Sequence, residues 1–172
     1  MDGFERRKQK KIEQIYTAVW QLVQKHGAAK ASVQEIAEWA RVSPATIYNY
    51  FGTKEQIYSD MLEAWVDKQL SIYEEILGLE QSYPDKIKAI IVMEAKNIKA
   101  MPDEIDLPLR SREKLQSFFM KLVSMGKQEG AIRGDYSEAL IERYFFMYMN
   151  EINRCGAEEI DDLLDLFFYG LM

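Results

Sequence analysis

The sequence predicts an all-α protein in which an N-terminal three-helix bundle with a helix-turn-helix precedes a larger C-terminal helical domain, with about nine helices in total. Two observations predict this class. Apolar residues recur at helical spacing along nearly the whole chain, and no segment shows the sustained alternation that is typical of strands. Three helix-start signals also follow one another between residues 32 and 57, as expected for two very short helices set between longer ones.

The three helix-start signals are specific in chemistry. Two of them match the capping box, in which each side chain satisfies the other residue's free backbone donor: Ser32 with Glu35, and Thr53 with Gln56. The third is Ser43 before Pro44, an N-cap residue with proline at the first helical position. Short helices joined by a tight turn are typical of a helix-turn-helix, whose second helix enters the DNA major groove. We therefore expect a DNA-binding surface here.

The other helices follow from apolar stripes and their stop signals. Helix one spans about residues 5–26 and ends at Gly27, helix two spans 33–40, and helix three spans 44–50 and ends at Gly52. Helix four begins after Thr53 and keeps its apolar stripe for roughly six turns. A further helix begins at Pro84, and others cover about 110–128, 136–155 and 157–171. The segment MPDEIDLP, residues 101–108, is predicted to be a linker or a single turn.

Composition narrows the class of protein. The 172 residues are 48% apolar and 29% charged, which is ordinary for a soluble globular protein. No apolar run is long enough for a membrane span, and the basic start lacks an apolar signal-peptide core, so a cytoplasmic location is predicted. Cys155 and His26 are single residues of their kinds, which argues against a disulfide or a zinc site. We expect no catalytic residues, no metal and no cofactor.

Charge is distributed unevenly along the chain. The net charge is −6, yet residues 1–54 carry nine Lys or Arg and five Asp or Glu, a balance of +4. The remainder carries 13 basic and 23 acidic residues, a balance of −10. A basic head on an acidic body is what a protein needs if it attracts phosphates at one end only.

The segment from Ile12 to Leu62 resembles the TetR family of bacterial transcriptional regulators. The residues that carry the resemblance are ASVQEIAEWARVSPATIYNYFGTKEQIYSDML, above all T-I-Y-N-Y-F-x-x-K-E from Thr46 to Glu55. The resemblance implies a homodimer with a DNA-binding domain at residues 1–53 and a ligand-binding and dimerisation domain at 54–172. Members usually repress transcription until a small molecule releases them from a palindromic operator.

The resemblance also implies which residues meet DNA, with helix three as the recognition helix. They are Ser32, Gln34, Ser43, Ala45, Thr46, Tyr48, Asn49, Tyr50 and Lys54. Spacing agrees, because Ile47 and Phe51, four residues apart, form the buried side of that helix. Asn49 can pair with adenine in the major groove, and Lys54 can meet a phosphate at a helix N-terminus. Partial burial against helix one is the alternative for Tyr48.

The C-terminal two-thirds holds the expected dimer and ligand sites. The last two helices, about 136–171, are apolar nearly all round, so a second copy of the chain is expected to cover them; the alternative is burial inside one chain's core. An apolar pocket for an unknown small-molecule effector is expected between helices four to eight. Its candidate lining residues are Trp65, Tyr73, Met93, Phe118, Phe119, Met120 and Met147, with Arg110 or Arg112 as polar anchors. The alternative is that these side chains are simply core.

The leading hypothesis is therefore a dimeric, ligand-responsive, DNA-binding repressor that is not an enzyme. One alternative is a small all-α ligand-binding protein or enzyme with a vestigial DNA-binding head, against which stand the basic head and the missing catalytic motif. Another is a protein-interaction module that dimerises without a ligand.

Overall fold

The computed structural model describes residues 3–27, 30–100, 106–156 and 159–169. These residues form eight α-helices and no strand, which confirms the predicted all-α class with one helix fewer than expected. The helices are α1 (Gly3–His26), α2 (Val33–Ala40), α3 (Pro44–Phe51), α4 (Lys54–Leu77), α5 (Tyr83–Ala100), α6 (Leu109–Gln128), α7 (Glu138–Arg154) and α8 (Ile160–Tyr169). Most of the predicted 101–108 linker lies outside the described residues.

Helix boundaries follow local chemistry closely. α2 has the predicted ends, and α3 extends one residue further because the Gly52 N–H closes its last turn on the Tyr48 carbonyl at 2.9 Å. α7 starts two residues later than predicted, because Ser137 caps it by accepting a hydrogen bond from the Leu140 N–H at 3.2 Å. The predicted end of the last helix, near residue 171, lies outside the described residues.

The chain divides into two compact units. One is formed by the described parts of Met1–Val66 and Met101–Ser111, and the other by those of Asp67–Ala100 and Arg112–Met172. The predicted division at residues 53 and 54 concerns function rather than compactness, and it stays a prediction.

The first unit packs α1, α2, α3 and the start of α4 around one core. Ile15 and Leu22 of α1, Ile36 of α2, Ile47 of α3 and Ile57 of α4 are all fully buried in it. The helical spacing of these residues directs one face of each helix inward. The outer face of α3 is consequently left at the surface.

The second unit has its own core, to which α4 to α8 contribute. Tyr73, Ile87, Leu122, Ile152 and Leu164 are each buried there. Against this background, α7 leaves a stripe of apolar side chains uncovered.

The uncovered stripe on α7 includes Leu140, which is 52% exposed, Tyr144 and Met147, which is 56% exposed. The alternative in which both final helices lie wholly inside one chain's core is therefore wrong. Among the described residues, no helix has the length and apolar character that crossing a membrane requires.

Candidate DNA-binding surface and ligand cavities

The turn between α2 and α3 is fixed by caps on both sides. Ser32 and Glu35 form the complete capping box: the Glu35 N–H donates to the Ser32 Oγ at 3.2 Å, and the Ser32 N–H donates to the Glu35 Oε2 at 2.9 Å. The hydrogen bonds from Ser32 lower the pKa of Glu35, which keeps its carboxylate charged and the box closed. The predicted box at the start of α2 is therefore confirmed.

α2 ends in a left-handed turn that sets the direction of α3. Arg41 has φ 55° and ψ 44°, and the Val42 N–H donates to the Ala37 carbonyl at 2.9 Å. Ser43 then caps α3, since its Oγ accepts from the Thr46 N–H at 3.1 Å. A residue other than glycine in this conformation is uncommon, which shows how tightly the turn is specified.

α3 presents the outward face that a recognition helix requires. Ile47 and Phe51 are buried in the core of the first unit, whereas Ala45, Tyr48 and Asn49 are exposed. These three residues share one face, because positions three and four apart are neighbours on a helix. Tyr48 is 50% exposed, so the alternative of its burial against α1 is not what the structure has.

The other predicted DNA contacts surround this face. Gln34 and Ser43 are exposed, and Ser32 and Thr46 are half-buried. Tyr50 is less available than its predicted role suggests, because it packs against the core with its ring 6.3 Å from that of Phe51.

The start of α4 departs from the predicted second capping box. The Gln56 N–H does donate to the Thr53 Oγ1, at 3.1 Å. The Gln56 side chain, however, donates to Asp60 one turn along at 2.6 Å, and the Thr53 N–H bonds to the Phe51 carbonyl instead. The box is thus only half formed, because Asp60 offers Gln56 a charged acceptor.

Lys54 occupies the first position of α4 beside this cap. Its side chain is half-buried, with the Nζ 5.7 Å from the centre of the Tyr58 ring. The contact with the ring holds a positive charge at the helix N-terminus, where backbone N–H groups also favour an anion.

The second unit contains two apolar cavities of similar size. The loop cavity, about 500 Å³, is walled in part by residues 131–136 of the α6–α7 connection. The helix cavity, about 460 Å³, is walled only by residues of α4, α5, α6 and α7. Both volumes lie within the usual range for small-molecule sites, and the two cavities share the side chains of Ile87, Phe119, Leu122 and Phe145.

A polar cluster interrupts the apolar wall of the helix cavity. The Tyr73 hydroxyl donates a hydrogen bond to the Glu94 carboxylate. The Asn97 amide donates to the Tyr73 oxygen at 3.2 Å and to the Gln69 Oε1 at 3.0 Å. Burial, followed by the Glu94 charge, raises the pKa of Tyr73 well above its usual range, so this hydroxyl stays protonated.

The mouth of the helix cavity is polar. Arg112, Gln116 and Asn150 line this cavity and are exposed. In the loop cavity the corresponding cation, Arg133, is held in a two-bond pair with Asp135 at 2.6 and 3.1 Å.

The structure brings together part of the predicted ligand set. Tyr73, Phe118, Phe119 and Arg112 line the helix cavity, and Phe119 lines the loop cavity as well. Met93, Met120 and Met147 line neither cavity: Met93 packs against the core of the second unit, and Met147 is exposed. Their predicted role in ligand binding stays a prediction.

Two further predicted ligand residues belong to the first unit. Trp65 stacks on Trp20 with ring centres 6.4 Å apart, and Arg110 pairs with Glu63 at 3.8 Å. Neither residue is among those that line the cavities.

Sequence reasoning missed Glu94, the one carboxylate in the cavity walls. A signal was available, since Glu94 follows Ile90 and Ile91 at helical spacing and so interrupts an apolar face. Within the described part of the chain, no group of three or more His, Cys, Asp or Glu side chains is placed to hold a metal ion.

The first unit matches a known family of regulators. Residues 15–61 match the family model of bacterial regulatory proteins of the tetR family. The HTH-type transcriptional repressor KstR2 of Mycolicibacterium smegmatis is 22% identical over 135 residues, which cover 69% of this chain. The chain spans only 65% of the length of that repressor.

Solved structures share the fold of the whole chain. The fatty acid degradation regulator FadR of Bacillus halodurans superposes with a TM-score of 0.75 at 21% identity, covering 93% of this chain and 99% of that one. FadR of Bacillus subtilis, solved in complex with stearoyl-CoA, gives a TM-score of 0.75 at 19% identity with the same coverage.

Proposed function

We propose, on the premise that this chain belongs to the TetR family of bacterial transcriptional regulators, that it is a cytoplasmic, dimeric repressor which an apolar small molecule releases from a palindromic operator. The observation that carries the DNA-binding part is the outward face of α3. Ala45, Tyr48 and Asn49 stand exposed on a helix that Ile47 and Phe51 anchor from behind.

Each residue of the DNA surface has a chemical role in this proposal. Asn49 pairs with the two major-groove hydrogen-bonding groups of adenine, and Ala45 meets a thymine methyl group. Tyr48 contacts the sugar–phosphate backbone, and Lys54 binds a phosphate at the start of α4. Ser32, Gln34, Ser43, Thr46 and Tyr50 lie at or near the ends and flanks of these helices and complete the proposed surface.

The uncovered stripe on α7 supports the dimer. Leu140, Tyr144 and Met147, together with Leu166 of α8, form apolar surface that a second copy of the chain can cover. A two-fold dimer presents two recognition helices to half-sites about one helical turn apart, and this spacing is the reason for expecting a palindrome.

The two apolar cavities support an apolar effector. Their walls hold no arrangement that indicates catalysis, so we assign them binding. The stearoyl-CoA bound by the B. subtilis regulator combines a long alkyl chain with a charged head, and acyl thioesters are therefore the first compounds to test here. α4 carries both Lys54 and Tyr73, and so links the DNA surface and the helix cavity along one helix.

The experiment is to select duplex DNA from a random pool with the purified protein at low salt. The expected result is an enriched palindrome, with affinity reduced about 5- to 150-fold by Asn49→Ala, as the loss of a bidentate base contact predicts. Gln81→Ala is the matched control, because Gln81 is an exposed amide in the second unit. Selection of no common sequence, or equal binding by both variants, contradicts the proposal.

The dimer is tested separately. Met147→Glu places a charge in the proposed interface at a side chain that a single chain leaves exposed, so the monomer's fold should survive. Sedimentation should show a monomer, and operator affinity should fall with it. A dimer that persists in Met147→Glu at micromolar concentration contradicts this interface.

A further inference from the structure

The two cavities of the second unit are separated by a pair of aromatic rings. Phe119 of α6 and Phe145 of α7 line both cavities, and their ring centres are 4.9 Å apart. Both side chains are half-buried, whereas Ile87 and Leu122, the other shared residues, are buried. The partition between the cavities thus contains two rings that face space on either side.

Side chains, and no backbone, would have to move for the cavities to join. A phenylalanine ring can change rotamer with its helix in place, and here each ring borders an empty volume into which it can turn. The joined space would approach 1,000 Å³, near the upper end of the range for small-molecule sites. It would be elongated, with an apolar centre.

The two ends of this joined space differ in polarity. Arg112, Gln116 and Asn150 offer hydrogen-bond donors at the mouth of the helix cavity. At the loop cavity, Arg133 is bonded to Asp135, so its charge is already compensated. A molecule with one polar end would therefore place that end at the mouth of the helix cavity and its apolar end in the loop cavity.

We infer that the effector is an unbranched alkyl-chain amphiphile whose tail passes between Phe119 and Phe145, and that these two rings determine which chain lengths the protein binds. This inference rests on the proposed function and specifies the ligand class of the same cavities. Short chains occupy the helix cavity alone. Longer chains part the rings and extend into the loop cavity.

The test measures the dissociation constants of octanoyl-, lauroyl-, palmitoyl- and stearoyl-CoA by calorimetry, with the matching fatty acids and fatty alcohols to distinguish the head groups. Affinity should rise about fourfold per methylene for as long as added methylenes are buried. The informative quantity is the ratio of stearoyl to octanoyl affinity, because a general change in stability affects both probes alike.

Two variants alter the partition and one serves as control. Phe119→Trp fills the gap and should lower the ratio at least tenfold, whereas Phe145→Ala opens the gap and should maintain or raise it. Phe146→Ala is the control, since Phe146 neighbours Phe145 but lines only the helix cavity, and it should leave the ratio unchanged. Far-UV circular dichroism verifies the fold of each variant.

The possible outcomes separate this inference from the proposed function. A ratio that is the same in wild type, Phe119→Trp and Phe145→Ala overturns the role of the two rings, while operator binding can still stand. Failure of every alkyl probe to bind the wild type overturns the ligand class, and the DNA selection then decides independently whether the protein is a DNA-binding regulator.

Discussion

Tyr73 of α4 donates its hydroxyl hydrogen bond to the carboxylate of Glu94 on α5, within the otherwise apolar wall of the helix cavity. Tyr73 is 2% exposed and Glu94 is half-buried. A carboxylate in such a place needs a donor, because leaving it unpaired would cost the free energy of its desolvation. The pair therefore joins α4 and α5 at the point where a ligand would bind.

Replacing Tyr73 with phenylalanine should destabilise the protein by about 1–2 kcal/mol. The ring is kept, so the change removes the hydrogen bond and leaves Glu94 without its donor. Urea denaturation at neutral pH, followed by circular dichroism, measures the free energy of unfolding.

Tyr48→Phe is the matched control for this prediction. Tyr48 is half-exposed on α3, so loss of its hydroxyl should change the free energy of unfolding by less than about 0.5 kcal/mol. Equal stability of Tyr73→Phe and Tyr48→Phe would show that the Tyr73–Glu94 bond contributes nothing net.

Gly126 of α6 lies where the core of the second unit is tightest. A Cβ at this position would be 2.7 Å from the Ile132 Cδ1 and 2.7 Å from the Tyr83 ring. Tyr83 cannot yield freely, because its hydroxyl donates to the Leu122 carbonyl at 3.0 Å. Overpacking costs about 1–3 kcal/mol, which exceeds the gain of about 1 kcal/mol from alanine's better helix propensity.

We therefore expect Gly126→Ala to lower the free energy of unfolding by about 1 kcal/mol. Gly134→Ala is the control, since no atom lies within 4 Å of its added Cβ, and it should be neutral. Thermal melts of both variants decide the matter. A Gly126→Ala protein that melts above the wild type would mean that Tyr83 and Ile132 make room at no cost.

The stability of the second unit should depend on alkaline pH through Tyr83. Burial, followed by the charge of Glu129, raises the pKa of Tyr83 from 10.0 to about 12. Because the pKa is higher in the folded state, the stabilisation is complete below about pH 10 and is lost as the pH rises towards 12. The loss for this residue should be roughly 2–3 kcal/mol.

Tyr83→Phe isolates this contribution from those of the other tyrosines. The variant should be about 1 kcal/mol less stable near neutral pH, because the Leu122 carbonyl loses its donor. Between about pH 10 and 12 its stability should fall less steeply than that of the wild type. Urea titrations at stepped pH measure both slopes, and parallel curves would contradict the assignment to Tyr83.

The sequence predicted the first unit well because its signals are local. Ser32, Glu35, Ser43 and Pro44 define the ends of α2 and α3 through contacts within four residues, and the structure has those ends. The Thr53–Gln56 box failed in part for a reason of the same scale. Gln56 had two acceptors within reach, and the pattern does not reveal which one it prefers.

The cavities were less predictable because they depend on packing between distant segments. Tyr73 and Phe118 were found by residue type, but Trp65 has the same apolar character and packs on Trp20 in the first unit instead. Periodicity indicates that a side chain faces inward, and it does not indicate which neighbours it meets. The pairing of Phe119 with Phe145 depends on how α6 packs against α7, which no short-range pattern encodes.

Lys54→Gln should weaken operator binding and reduce its dependence on salt. If Lys54 binds one phosphate, the slope of log affinity against log salt should become less negative by about 0.9 for each protomer. Lys68→Gln is the control on the same helix, because Lys68 is exposed and lies about 21 Å further along α4, well beyond the screening length of roughly 8–10 Å. Fluorescence anisotropy across a salt series measures both slopes. Two variants with the wild-type slope would remove Lys54 from the DNA surface, whereas a change confined to Lys54→Gln would place a phosphate at the N-terminus of α4.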